Sequence, residues 1–467
     1  MKKIKMPNTL ILMFSVLVLM AALTWIIPGG KYQREIKDGR EIVVSDSYQP
    51  TKAVGQGIGQ ILKAPVRGFI NAAQIIGLIL IVGGAFTIVQ KTGAVDALIH
   101  TIARAYEHSR LMRILLIPVI MFTFSTFGSV FGMSEEVIPF ILIFVPLAIS
   151  LGYDSITGVA IPFVGAATGF SGAFMNPFTV GIAQGIAELP LFSGMGYRLV
   201  VWLIVTSVAV VFVMLYARYI RKHPQKSRTW QIDQYWRDYL AKNNDNNPDM
   251  QMTNRHHIVL AVFALAIVVL ISGVIIFKWY INEIAAVFLG MGIIAGLVSH
   301  LSVNQLAEEF VAGARDFTGV AFIVTLSRAI LVIATDGQII DSILHAMSGL
   351  VQGAHPVITA QLMFVVQSVI HFFVPSGSGQ AALVMPVMAP LSDILGVTRQ
   401  TAVLAFQLGD GFNSMIIPTS GVTMGILGVA KIPYEKWFMW ILPLQVILFV
   451  LSLLFLIPPV LMHWGPF

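Results

Sequence analysis

Polar and charged residues set inside apolar runs are the places where this sequence can do chemistry. Ser376, Gly377, Ser378, Gly379 and Gln380 follow Pro375 between two apolar stretches, 356–373 and 381–395. A Pro-Ser-Gly-Ser-Gly run cannot continue a helix, and bare backbone groups are costly in hydrocarbon unless protein buries them or they line a cavity. The run reads as the tip of a re-entrant helical hairpin whose free N–H groups and hydroxyls suit a small polar or anionic solute. An ordinary surface loop between two spans is the alternative. A second interruption, Gly128 to Glu136, divides 113–127 from 137–151 and sets Ser134, Glu135 and Glu136 at membrane depth. Acids there are expensive, so they either serve a substrate or coupling cation, or complement the positive end of a helix.

Two longer apolar stretches are also broken. Residues 156–187 contain Gly165, Gly169, Gly172 and Asn176-Pro177, and residues 400–429 contain Gly409-Asp410-Gly411 and Pro418-Thr419-Ser420-Gly421. Gln407, Asp410 and Asn413 share one helical face and are expected to line a site together. Asn176, Ser376, Ser378, Thr419 and Ser420 offer neutral oxygens that suit Na⁺, while half-helix N-termini suit a carboxylate. Proton coupling through Glu135, Glu136 or Asp410 is equally open, and Glu135, Asn176 and Asp410 are the candidates for a coupling ion. Arg328, inside a span, is a carboxylate anchor or the structural partner of an acid, and the second reading is favoured. His100 and His345 are assigned surface roles.

The elements that position these residues recur. Asp96-x3-His100 matches Asp341-x3-His345, Leu151-Gly152 matches Leu395-Gly396, Gly165 matches Gly409, and Pro177 falls near Pro418, all at offsets of 241–245 residues. Paired halves with Gly/Pro-interrupted hydrophobic segments point to the binding site of a secondary transporter. Composition agrees: 57% of residues are hydrophobic and 11% charged, at a mean hydropathy of +0.82, which makes an all-α polytopic membrane protein. The chain has no cysteine, hence no disulfides or thiol ligands. Its net charge of +6 sits in clusters near span ends, with no call for a nucleic-acid partner.

Taken in order, 1–220 is expected to be the first repeat, with a hairpin at about 113–151 and a broken helix at about 156–187. Each hairpin arm has about 15 residues, short of the ~20 of a full span. Lys2, Lys3 and Lys5 place the N-terminus in the cytoplasm, and 31–53 reads as a polar external loop. Residues 221–255 are a solvated cytoplasmic linker. Residues 256–467 hold an extra span and the second repeat, with a hairpin at about 356–395 and a broken helix at about 400–429. The extra crossing inverts the second repeat relative to the first. The Lys and Arg distribution supports this except in 31–67, which carries seven of them against four acids.

Several of these segments resemble a known family. Val130-Phe131-Gly132-Met133-x-Glu135-Glu136, Met175-Asn176-Pro177-Phe178, Ala183-Gln184-Gly185-Ile186-Ala187, Ser376-Gly377-Ser378-Gly379-Gln380-Ala381 and Gly409-Asp410-Gly411-Phe412 are similar to the YfcC-like branch of the anaerobic four-carbon dicarboxylate carriers. The similarity spans nearly the whole chain. Members are described as dicarboxylate carriers or, in this branch, as basic amino acid antiporters. The wider ion-transporter superfamily implies two hairpins, two broken helices, a dimeric scaffold, elevator-type movement and a bacterial inner membrane. Pro375 stands where Thr is expected, which removes a donor from that tip, and Ser134 stands where Gly is usual.

The expectation is a secondary active transporter of a small carboxylate-bearing metabolite, with no cofactor beyond a coupling Na⁺ or proton. Acids at the first tip, and no arginine in either tip, favour a basic amino acid over a four-carbon dicarboxylate. An intramembrane enzyme lacks support, because neither a His-Glu-x-x-His nor a Gly-x-Ser-x-Gly motif occurs. A channel remains the other rival, and no Gly-x4-Gly-Lys-Ser/Thr loop points to ATP.

Overall fold

The computed structural model describes residues 9–37, 40–44, 47–246, 252–277, 279, 281–350 and 355–465. Lys2, Lys3 and Lys5 therefore lie outside the described residues. The chain starts with apolar helix α1 (Thr9–Ile26) and continues into four short strands. Strands β1 (Gly29–Lys31), β2 (Arg34–Lys37), β3 (Arg40–Val43) and β4 (Gln49–Thr51) form two antiparallel ribbons, β1 with β4 and β2 with β3. This corrects the reading of 31–53 as plain loop. Lys37 pairs with Arg40 at the end of the β2–β3 ribbon.

Helix α2 (Ile58–Asn71) is amphipathic and leads into span α3 (Ala73–Lys91), then α4 (Ala94–His108), α5 (Arg110–Phe131) and α6 (Ile138–Ser150). The first broken helix comprises α7 (Ser155–Ser171), a wide turn at Pro177–Gly181, and α8 (Ile182–Ile186). Span α9 (Met195–Lys222) precedes α10 (Gln234–Asn246), after which α11 (Asn254–Phe277) and α12 (Ile281–Val298) cross. Amphipathic α13 (Val303–Asp316), span α14 (Thr318–Asp336) and α15 (Ile339–Leu350) lead to α16 (Pro356–Phe373) and α17 (Gly377–Ile394). The second broken helix is α18 (Arg399–Asn413) and α19 (Gly421–Val429), followed by α20 (Tyr434–Phe455) and α21 (Ile457–Leu461). Among the described residues, eight helices are long and apolar enough to cross a membrane. They include α5, at 22 residues, so the first arm is not the short piece expected from its sequence.

Helix α7 packs against both α5 and α6, and α18 against both α16 and α17. Glycine makes the first contact possible. A Cβ on Gly169 would lie 1.8 Å from the Ser125 carbonyl oxygen, and one on Gly128 would lie 2.1 Å from that of Ala166. The two broken helices meet where each one ends, since a Cβ on Gly411 would lie 2.4 Å from the Ser171 Cα. Helix α14 packs on α1 and α2 along one side and on α19 along another.

The stretch 221–255 is not simply a solvated linker, because its middle is docked. The Asp154 side chain caps α7, accepting from the Thr157 N–H (2.9 Å), and also accepts from the Tyr216 and Ser227 hydroxyls (2.6 and 2.7 Å). Asp233 accepts from the Ser155 N–H (3.3 Å) and the Thr229 hydroxyl (3.0 Å). The Trp236 indole N–H donates to the Ala430 carbonyl (3.2 Å), just past α19. One short segment thus fastens the start of one broken helix to the end of the other.

Burial raises the Asp233 carboxyl, the bond from Ser155 pulls it partly back, and the charge of Asp154 adds to the rise, leaving it at about 6. Ionising Asp233 therefore costs the folded state. That cost is absent below the ordinary carboxyl value of 3.8 and complete above about 6. At ~1.4 kcal/mol per pKa unit it amounts to ~3 kcal/mol. We expect the melting temperature of detergent-solubilised protein to fall as pH rises from 4 to 7, and Asp233→Asn to remove most of that fall. An equal slope in the variant would place the ionisation elsewhere.

Candidate functional site

The first break follows from Gly132. It caps α5 in the left-handed region (φ +73°), its N–H donating to the Gly128 carbonyl (3.2 Å), and a Cβ there would strike Asn176. The Ser134 N–H then donates to Glu136 Oε2 (2.8 Å), and a single 3₁₀ turn, Glu135–Val137, leads into α6. Glu136 therefore folds back on its own turn. The Glu135 carboxylate has no hydrogen bond or ion pair among the described residues.

At the second break Pro375 supplies no donor and Ser376 caps α17, its hydroxyl accepting from the Gly379 N–H (3.3 Å). Gly377 is pressed into the other elements. A Cβ there would lie 2.5 Å from Thr179 Cγ2 and 3.0 Å from Asp410 Oδ2. Both broken helices are capped as well: the Asn176 carbonyl oxygen Oδ1 accepts from the Phe178 N–H (2.9 Å), and the Ser420 hydroxyl accepts from the Thr423 N–H (3.3 Å). Carbonyls freed between α18 and α19 are taken up by α20. Trp437 donates to the Met415 carbonyl (2.8 Å), Tyr434 to that of Ile416 (2.5 Å) and Gln445 to that of Phe412 (2.9 Å). This satisfies the cost of irregular backbone at membrane depth.

These breaks enclose a cavity of about 120 Å³. Of the residues expected from sequence, Ser134, Glu135, Glu136, Ser376, Gly377, Ser378, Asp410 and Ser420 line it together. The others do not. Asn413 donates to the Gly409 carbonyl one turn earlier (2.7 Å) and faces a separate hollow beside Gln445. Gln407 donates to the Phe170 carbonyl (2.5 Å), so the shared face with Asp410 does not become a shared site. Gly379 is held by the Ser376 cap, and Asn176 and Thr419 are buried behind the wall. Gln380 is buried too, donating to Gln367 Oε1 (2.9 Å).

Two nitrogen-bearing side chains, His371 and Arg328, enter the same cavity. His371, buried in α16, was passed over in the sequence because it sits within an apolar run. A titratable group inside a span was the signal available. Gln380 commits its amide to Gln367, so its oxygen faces His371 Nδ1 (2.9 Å) and requires that nitrogen to carry the proton. His371 Nε2 lies 2.8 Å from the Ser414 hydroxyl. Asp410 Oδ1 is also 2.9 Å from Nδ1, within ion-pair range, yet the geometry gives neither Asp410 oxygen a hydrogen bond. Arg328 enters from α14. Its expected structural acid is missing, since among the described residues no carboxylate lies within ion-pair distance of it.

A polytopic membrane protein whose broken helices converge on a small polar cavity has the build of a carrier for a small solute. The family profile "C4-dicarboxylate anaerobic carrier" (DcuC) matches residues 6–461, and the chain belongs to that family. A relative in Escherichia coli (strain K12), named "Putative basic amino acid antiporter YfcC", is 36% identical over 96% of this chain and 95% of its own length. An uncharacterized protein of Haemophilus influenzae is 28% identical over 95% and 94%. Among solved structures, the Alcanivorax borkumensis YdaH transporter covers 98% of this chain and 100% of its own, at 14% identity and a TM-score of 0.44. Neisseria gonorrhoeae MtrF covers 97% and 95%, at 16% identity and a TM-score of 0.42. The chain is a membrane transporter, not an enzyme.

Proposed function

We propose that the chain is an antiporter of basic amino acids of the arginine and ornithine type. The observation that carries this reading is the unpartnered Glu135 carboxylate on the cavity wall, with Glu136 and Asp410 beside the same space. A substrate ammonium or guanidinium supplies the missing charge. The name of the Escherichia coli relative points the same way. Cation-coupled carriage of a four-carbon dicarboxylate is the second reading. Arg328 in the cavity favours it, although neither tip itself holds an arginine. Asp410, buried with two oxygens that receive no hydrogen bond, supports a coupling Na⁺ or proton there, with Glu135 and Asn176 as the other candidates.

We further propose that the chain sits in the bacterial inner membrane with its N-terminus in the cytoplasm, as a homodimer of inverted repeats moving in elevator fashion. Clusters such as Arg218 to Arg228 support that orientation. The cation-rich exception, 31–67, is partly offset: Arg34 pairs with Asp341 (2.8 Å), and Arg67 makes a two-pronged pair with Asp336.

Exchange in proteoliposomes tests the function. Internal ornithine should drive uptake of labelled arginine by counterflow, and succinate and fumarate should compete weakly with or without Na⁺. Uptake of dicarboxylates alone would overturn the reading in favour of the second. Flux without counterflow would make the protein a channel.

A further inference from the structure

We infer that Arg328 is the anchor for the substrate's carboxylate, opposite in role to the acids of the first break. The inference rests on the basic amino acid reading above and adds how such a substrate is oriented. Arg328 is the cavity's guanidinium, and it lies within a span where an uncompensated charge is costly. Ion pairs elsewhere in the structure engage Arg34, Arg67 and Arg399, each with a carboxylate. Arg328 has none among the described residues, and unlike the buried, equally unpaired Arg198 it lines the cavity, where a solute can reach it.

The position is fixed by packing, not left to a long side chain. The Ser327 hydroxyl donates to the Thr419 carbonyl, which pins α14 against the second break. One turn before Arg328, on the same face, Val324 lies 3.5 Å from where a Gly421 Cβ would be. That register delivers Arg328 to the cavity beside Ser420 and Val422. A guanidinium presents a planar fork of donors that matches a carboxylate with two parallel hydrogen bonds.

The carboxylate lining explains why one cation is not enough to make this an anion site. Glu135, Glu136 and Asp410 face the cavity with Arg328 and His371. A dianion meets one anchor and several like charges, whereas an amino acid with a cationic side chain meets complementary groups at both ends. Arg328 reads the carboxylate and Glu135 the distal cation. Specificity then rests on rejecting molecules that carry only one of the two charges.

Binding to the purified full-length protein separates the two roles. Arginine and agmatine share the guanidinium, but agmatine lacks the carboxylate. Wild-type protein should bind arginine roughly 10- to 100-fold more tightly than agmatine, the range for a hydrogen-bonded charge pair. Arg328→Gln should lose that factor for arginine and leave agmatine unchanged, and Arg328→Lys, which keeps charge but not the fork, should recover part of it. Should Arg328→Gln not fold, Arg328→Lys carries the test, with arginine weakened several-fold and agmatine unmoved. Equal weakening of both ligands in either variant would remove Arg328 from the carboxylate. A wild-type protein that binds neither ligand but binds succinate would sink the basic amino acid reading instead. Succinate affinity in Arg328→Gln would then decide the anchor: a loss keeps it and no change overturns it.

Discussion

Glu135→Gln will remove exchange of arginine for ornithine, by roughly 30-fold or more, while the protein stays folded. The expected size is that of leaving a buried charge unpaired, 2–5 kcal/mol as an order of magnitude. Adjacent acids in a turn cannot serve one small solute equally, because consecutive residues of a 3₁₀ turn point about 120° apart at ~3.0 residues per turn. The structure divides them: Glu136 accepts the Ser134 N–H and closes its own turn, and Glu135 is left to the cavity. Glu136→Gln keeps an oxygen able to accept that bond, so it should lower the melting temperature by a few degrees and leave exchange within about threefold. Proteoliposome flux and thermal melting on both variants make the comparison. Wild-type exchange by Glu135→Gln, or the reverse pattern between the two, would reduce Glu135 to a helix-end complement.

Gly169→Val should yield no folded protein, and Gly169→Ala should lower the melting temperature sharply. The Cβ would lie 1.8 Å from the Ser125 carbonyl oxygen and 2.5 Å from its carbon, which is backbone and cannot swing aside. Ser125 is also fixed from behind, its hydroxyl 2.7 Å from that of Thr206 and accepting from the Trp202 indole at 2.9 Å. Overpacking a close-packed contact costs ~1–3 kcal/mol even where neighbours can adjust. Gly290→Ala is the matched control, since a Cβ there meets nothing within 4 Å. It should be neutral or mildly stabilising through the unfolded chain. Equal melting temperatures for the two alanine variants would mean that α5 and α7 stand further apart than described.

The positions of the breaks were legible because backbone chemistry is local. Pro375 cannot extend α16, and Ser376 caps the helix that follows, although that helix already begins at Gly377 and takes in the rest of the Ser-Gly run. What Gly128 and Ser129 do was not legible. They read as the start of an interruption, yet α5 runs through them to Phe131, because Gly128 is there for the approach of α7, and the Ser129 carbonyl accepts from the Met175 N–H (3.2 Å). A glycine that breaks a helix and one that lets a neighbour close in look alike in sequence. The same limit applies to Gln407 and Asn413, whose spacing from Asp410 is helical, while each spends its amide on a nearby carbonyl. His371 and Arg328 needed partners some forty and ninety residues away to be interpreted, Ser414 for the first and the Ser327–Thr419 bond for the second.

The docking of Trp236 on Ala430 also has a consequence for synthesis. Donor and acceptor are 194 residues apart in the chain. At roughly 5–20 residues per second, the acceptor is made on the order of 10–40 s after the donor. Through that interval the first half already holds Asp154, Ser155, Tyr216, Ser227, Thr229 and Asp233 of its own clasp, but nothing for the indole to close on. The nascent chain therefore waits with that end of its clasp open, and the indole finds its acceptor only once the second broken helix has been made.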